Sequence, residues 1–382
     1  MKITKSIALA VAILGLGGLA AEAQIRIGAT VAETGPAGAL GDPEAKTLRM
    51  MVDQINAQGG VLGEQIDLVL YDDGGDPNNA RTFAIRLIEH DEVSAIIGGT
   101  TTGASMAVLA VAAEEEVPFI SLAGGIQVID PVNPFTFKTP HTDRMACQKI
   151  FEDMQGRGLV RVGMISGTDG FGASMRGQCL DVADDYGIEI VADESYAPGD
   201  ADMVPQLTNI RNAPGIQAVL NPGFGAGPAI VTRNYAQLNI DLPFYQSHGV
   251  AGQAFIDLSG AENAEGVRLP GTALLVADQL ASDDPQHDVV IAYRDAYVAL
   301  YNEPVSTFGG YAHDALTILI DAIVRNGDAD PDPIDLRDAI EATSGLTGTT
   351  GTYTFSSDDH LGLDLSAFRL LEIRDGDWTQ AQ

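Results

Sequence analysis

Three consecutive threonines, Thr100 to Thr102, stand before Gly103 where the apolar run ending in Ile97-Gly98-Gly99 gives way to a helical pattern. At such a junction the first N–H groups of the helix lack backbone acceptors, and the positive end of the helix dipole points the same way. The hydroxyls of Thr101 and Thr102 add two further donors, so the loop has the chemistry to seat a carboxylate. The same residues also read as a capped helix with no ligand, and the two readings stay open at this level. Patterns for covalent or redox chemistry fail on spacing. Gly170-Phe171-Gly172 opens a helix, but the next glycine is Gly177, outside the dinucleotide pattern. Gly103-Ala104-Ser105 and Gly172-Ala173-Ser174 lack the closing glycine of a nucleophile elbow, and no phosphate loop ending in Gly-Lys-Ser/Thr occurs. The histidines never fall at a metal-ligand spacing such as His-Glu-x-x-His. No catalytic residue, no metal site and no cofactor is therefore expected.

The elements that must position the threonine loop alternate regularly. Ile25 to Thr30 reads as a strand, Ala45 to Gln58 as a helix and Gln65 to Tyr71 as a second strand. Ala80, Phe83, Ala84, Leu87 and Ile88 then recur at helical spacing before the apolar strands Ala95 to Ile97 and Phe119 to Leu122. An irregular stretch from Asp130 to Pro140 marks a first crossing. The alternation restarts with a helix through Cys147 and strands at Arg161 to Ser166, Ile188 to Ala192, Ala218 to Asn221 and Phe244 to Gln246. A long extended run from Gly266 to Val276 leads to helices at Asp288 to Tyr301 and Tyr311 to Asn326, and Gly351 to Phe355 with Phe368 to Ile373 is predicted to form a hairpin. This is an α/β chain of two Rossmann-like lobes joined by three crossings, a clamshell whose cleft lies at the carboxyl ends of parallel strands. Lobe one is predicted to comprise residues 24–138 plus 275–348, and lobe two residues 139–274 plus 349–382.

Lys2 and Lys5 precede an apolar run from Ile7 to Leu19 that ends in Ala21-Glu22-Ala23, so residues 1–23 read as a cleaved signal peptide and the mature chain as an exported, soluble protein. No cysteine follows the run as an acceptor for a lipid anchor. The 53 acidic residues outnumber 21 basic ones, a formal charge of −32 that argues against a nucleic-acid partner and fits a solvated surface. Cys147 and Cys179 both fall on predicted helices of lobe two; one disulfide and two buried thiols are equally compatible with this placement.

Taken in order, several motifs carry a resemblance over the whole mature length. Thr34-Gly35-Pro36 with Gly41 follows the first strand, Tyr71-Asp72-Asp73 the second, and Ile97-Gly98-Gly99-Thr100-Thr101-Thr102 the third. Pro118-Phe119-Ile120-Ser121 with Ala123, Asp169-Gly170-Phe171-Gly172 and Phe308-Gly309-Gly310-Tyr311 complete the set. The chain thereby resembles the periplasmic binding proteins of ABC transporters in the leucine/isoleucine/valine-binding family. The resemblance implies a small carboxylate ligand gripped by Thr101, Thr102, Ser121 and Ala123, a monomer in the periplasm, and an ABC permease in the inner membrane as partner. It further implies that Leu40, Phe171 and Phe224 enclose the ligand. Where amino-acid-binding relatives carry an acidic partner for the ligand ammonium, this chain reads Ser247-His248-Gly249, with His248 at the matching place. His141 and Asp143 match a cleft-lining segment; Asp143 also reads as a helix cap, His248 as a structural histidine, and Asp143 or Asp169 facing the ligand would readmit an amine. The loss of the ammonium partner turns the expectation toward an aromatic acid of benzoate or cinnamate type. A branched-chain or other hydrophobic amino acid is the alternative within the same class, and a ligand-sensing module for a receptor the alternative outside it.

Overall fold

A computed structural model describes residues 24–381; the segment read as a signal peptide, residues 1–23, lies outside the described residues. The chain begins with a repeated strand–helix unit: β1 (Gln24–Val31), α1 (Gly38–Ala57), β2 (Gln65–Asp72), α2 (Pro77–Glu89), β3 (Ala95–Gly98), α3 (Thr102–Glu114), β4 (Phe119–Ser121) and β5 (Thr136–Lys138). These strands form a five-stranded, wholly parallel sheet in the order β2-β1-β3-β4-β5. Both faces are covered, so the strands are nearly continuous apolar runs. α2 and α3 close one face over Ile96 and Phe119, while α1 closes the other over Ile25, Ile27 and Ile97.

The second lobe repeats the plan with α4 (Asp143–Gly156), β6 (Arg161–Gly167), α5 (Gly170–Val182), β7 (Glu189–Tyr196), α6 (Val204–Arg211), β8 (Ala218–Asn221), α7 (Ala226–Gln237), β9 (Phe244–Gln246), α8 (Gln253–Ser259), α9 (Ala261–Ala264) and β10 (Arg268–Gly271). The chain then returns to the first lobe through α10 (His287–Tyr301), α11 (Thr307–Asn326), α12 (Pro333–Glu341), β11 (Ser344–Thr347) and β12 (Thr352–Thr354). It ends in the second with β13 (Arg369–Arg374) and β14 (Asp377–Gln380). The second sheet runs β14-β13-β10-β9-β8-β6-β7, with β13 and β14 antiparallel at one edge. The fold is thus the expected two-lobed α/β architecture, with crossings after β5, after β10 and before β13.

Three local expectations are corrected. β12 pairs with β11, whereas β13 pairs with β10 and β14, so the two extended segments of the tail form no hairpin with each other. Tyr353, Phe355, Leu361 and Leu363 consequently pack into the first lobe's core, although residues 349–382 were assigned to lobe two. The run Gly266 to Val276 is a short strand followed by a 3-10 turn from Ala273 to Gln279, because β10 ends at Pro270-Gly271. Cys147 on α4 and Cys179 on α5 form a disulfide, which ties together the two helices that cover one face of the second sheet. Among the described residues no helix is long and apolar enough to cross a membrane.

Candidate functional site

The lobes are closed on one another in this structure. A Cβ at Gly170 of α5 would lie 3.5 Å from the backbone nitrogen of Gly103 on α3, one at Gly225 would lie 3.1 Å from the Pro36 carbonyl, and the Thr307 N–H donates to the Ala251 carbonyl at 3.4 Å. Between them lies a narrow cavity of about 30 Å³.

The floor in lobe one is built by the turn from β3 into α3. Gly99 takes φ +65°, and a Cβ there would lie 2.4 Å from Ser105 Oγ, so only glycine lets the turn pack this tightly. Thr101 caps α3, its Oγ1 accepting from the Ala104 N–H at 3.2 Å, while the Ser105 N–H donates to the Thr101 carbonyl. The N–H groups of Thr102 and Gly103 are left without intrahelical acceptors. Thr102 is buried, and its Oγ1 has no hydrogen-bond partner within the protein. Thr100 is fixed from behind: its hydroxyl accepts from the Ala32 N–H at 2.9 Å and donates to Glu44 at 2.5 Å. Burial raises the Glu44 carboxyl well above its ordinary range, and Asp73 nearby acts in the same direction.

The opposite wall comes from lobe two. Asp169 caps α5 by accepting from the N–H groups of Phe171 and Gly172, which sets Phe171 over the cavity. Ser247 caps the turn after β9 and presents His248. The His248 ring meets Phe171 edge-on at 5.3 Å and Phe368 at 5.4 Å, and Phe171 meets Phe224 at 6.2 Å. Burial, and secondarily Lys138, pushes the His248 imidazole down to about 3, so it is neutral at pH 7 with one nitrogen a donor and the other an acceptor. Neither nitrogen has a protein partner. Leu40, Leu122 and Phe308 complete the apolar wall, and Tyr311 of α11 adds a buried hydroxyl that is also without a partner. No aspartate or glutamate lines the cavity.

Of the residues singled out from the sequence, Leu40, Thr101, Thr102, Phe171, Phe224 and His248 are brought together here. Ser121 and Ala123 lie behind the wall. Ser105 Oγ donates to the Gly99 carbonyl, so Ser121 Oγ donates to Ser105 at 2.7 Å and accepts from the Ala123 N–H at 3.1 Å, which occupies both groups. His141 also sits behind it, stacked on Phe368 at 3.6 Å, its affinity for a proton lowered by burial and then by His248 and Lys138. Asp143 is the first residue of α4; the cap is Thr142, and the Asp143 carboxylate faces the Ile126 N–H and Ser174 Oγ, not the cavity. Asp169 caps α5 and does not line the cavity.

The chain matches the periplasmic binding protein family model over residues 24–377. It belongs to that family. The leucine-, isoleucine-, valine-, threonine- and alanine-binding protein of Pseudomonas aeruginosa is 25% identical over 321 residues, covering 83% of this chain and 82% of the relative. An extracellular ligand-binding receptor from Rhodopseudomonas palustris HaA2 superposes with a TM-score of 0.87 at 27% identity, covering 94% of this chain and all of that one. LivJ, the branched-chain amino acid transporter substrate-binding protein of Streptococcus pneumoniae, solved with isoleucine, gives 0.83 at 25% identity over 94% and 99% of the two chains. For this periplasmic binding protein, sequence reasoning missed Thr100, Leu122, Gly124, Gly249, Phe308 and Tyr311 as cavity-lining residues. Thr100, Phe308 and Tyr311 stand inside recognised motifs, which was the available signal. Gly124 stands in the segment Ser121 to Gly125, which the resemblance already placed at the ligand carboxylate; a Cβ there would lie 2.7 Å from His248 Nε2 and 2.9 Å from Phe171 Cε2, both in the facing lobe.

Proposed function

We propose that this periplasmic binding protein captures a small apolar carboxylate, with aromatic acids of benzoate or cinnamate type as the first choice, and delivers it in the closed form to a membrane permease of an uptake system. The observation that carries the reading is the pairing of an anion seat, the Thr102 hydroxyl and the first N–H groups of α3, with a cavity wall that contains no carboxylate. An ammonium group closed into such a wall would lose its water without gaining a counter-charge, which costs several kcal/mol. Neutral His248 and the Tyr311 hydroxyl can instead meet an uncharged polar substituent, and the faces and edges of Phe171 and Phe224 suit a ring.

A branched-chain amino acid is the second reading. It is favoured by what the Pseudomonas and Streptococcus relatives bind and by the Glu44 carboxyl, one hydrogen bond behind Thr100. A thermal-shift panel of benzoate, cinnamate, leucine and valine separates the two, since a ligand at a hundred times its Kd adds about 2.7 kcal/mol to the folded state. Stabilisation by leucine or valine with none by the aromatic acids would overturn the first reading.

A further inference from the structure

The cavity shares part of its wall with a second, larger hollow. Leu40, Gly249 and Phe308 belong at once to its wall and to the wall of an adjoining chamber of about 300 Å³. The chamber is cut from both lobes. Pro43, Tyr297 and Val305 face it from the first, and Val250, Phe255 and Leu258 from the second. Leu258 is 48% exposed, a large apolar side chain left at the chamber's rim. The charged groups at this edge are arranged so that none is a free cation. Lys46 bridges Asp42 at 2.7 Å and Glu303 at 2.6 Å, and the Asp257 carboxylate accepts from the Gln253 amide at 3.1 Å.

We infer that this chamber is a second subsite, which takes the uncharged apolar tail of an acid whose carboxylate sits on α3. The inference rests on the carboxylate reading above and extends it to ligands longer than the inner cavity. An apolar tail passing Leu40 and Phe308 trades water for the side chains of Val305, Val250 and Phe255. A tail ending in a second carboxylate would meet Asp42, Glu303 and Asp257 with no unpaired cation to receive it, so the rim selects monocarboxylates over dicarboxylates of equal length.

The test is calorimetric titration of the mature chain with benzoate, 3-phenylpropanoate, 5-phenylpentanoate and 7-phenylheptanoate. The same titrations are repeated on Val305→Trp and, separately, on Gly252→Leu. Gly252 has extended backbone and its Cβ would meet only Ser306 Cβ, at 3.4 Å, so the second variant keeps the test open should the first fold poorly. Affinity is expected to rise about three- to fourfold per added methylene beyond 3-phenylpropanoate. Each variant is expected to abolish that rise while leaving benzoate within about twofold, since an uncommitted edge would change both alike. Benzoate binding with no gain along the series overturns the second subsite alone, as does an equal loss for short and long acids in the variants. A series in which no acid binds, while leucine does, overturns the carboxylate reading and the subsite with it.

Discussion

Replacing Gly124 with alanine tests the closed cleft with a single methyl group. The added Cβ would stand 2.7 Å from His248 Nε2 and 2.9 Å from Phe171 Cε2, distances that side-chain carbons do not reach without displacement. Neither neighbour can withdraw easily. His248 is wedged between Phe171 and Phe368, its turn held by the Ser247 hydroxyl accepting from the Gly249 N–H, and Phe171 is fixed by the Asp169 cap of α5. Both belong to the facing lobe, so the clash exists only when the lobes are closed. Overpacking of this kind costs about 1–3 kcal/mol. Ligand affinity should therefore fall by a factor of about 5 to 150, while the ligand-free protein unfolds at nearly the wild-type temperature. Titration calorimetry with the tightest ligand of the panel, paired with thermal unfolding of the ligand-free protein, reads both quantities. In Gly124→Ala/His248→Ala the first change should cost much less than in the wild-type background, a coupling that distant sites do not show. Unchanged affinity in Gly124→Ala would refute the reasoning, and so would strictly additive losses in the double variant.

Acidification should open the cleft. His248 is held at about 3 by burial in the closed form, against about 6.5 for an exposed histidine. The closed form thus binds fewer protons than the open one between these values, and its advantage, complete above 6.5, is lost as pH falls. Ligand binding should weaken from pH 7.5 to 5.5, by at most about tenfold, and titrations of His248→Gln over the same range should be nearly flat if this histidine is the cause. The Cys147–Cys179 disulfide spans a sequence separation of 32 residues, and its loss in Cys147→Ala/Cys179→Ala should lower stability by about 3–4 kcal/mol in denaturant unfolding; an unchanged midpoint would show that the α4–α5 packing suffices. Burial raises the Glu44 carboxyl above its ordinary value, so the neutral form favours folding at low pH and this contribution is lost as pH rises through the raised value. Glu44→Gln, which keeps an acceptor for Thr100, should lose less stability than wild type between pH 5 and pH 8, and a parallel decline would mean that Glu44 is not the titrating group.

What could be read from the sequence was what local chemistry determines. Strands β1, β3, β6 and β8 are buried on both faces and appear as apolar runs, and the threonine loop announces a helix start because Thr101 must cap it. The helix over Gly38–Ala57 was expected only from Ala45, since Pro43 obscures its first turns. β12 and β13 look alike as extended segments; their partners are chosen by elements far away in the chain, which no local pattern records. The same holds at the site. Ser121 looks like a free hydroxyl until Ser105, from the preceding helix, accepts its hydrogen bond, and Lys138 gives no sign that it will be fully buried, with burial pushing its amine down to about 7. Gly124 and Tyr311 reach the cavity only because closure and α11 bring them there.

The central claim, an anion seat facing a wall without an ammonium partner, is tested most directly by a matched pair of ligands that differ only in the amine. Calorimetry with 3-phenylpropanoate and with phenylalanine makes that comparison, and 4-methylpentanoate with leucine repeats it on an aliphatic body. The acids without the amine should bind at least about a hundredfold more tightly, given a cost of several kcal/mol for an uncompensated buried ammonium. Tighter binding of the amino acid in both pairs would contradict the claim.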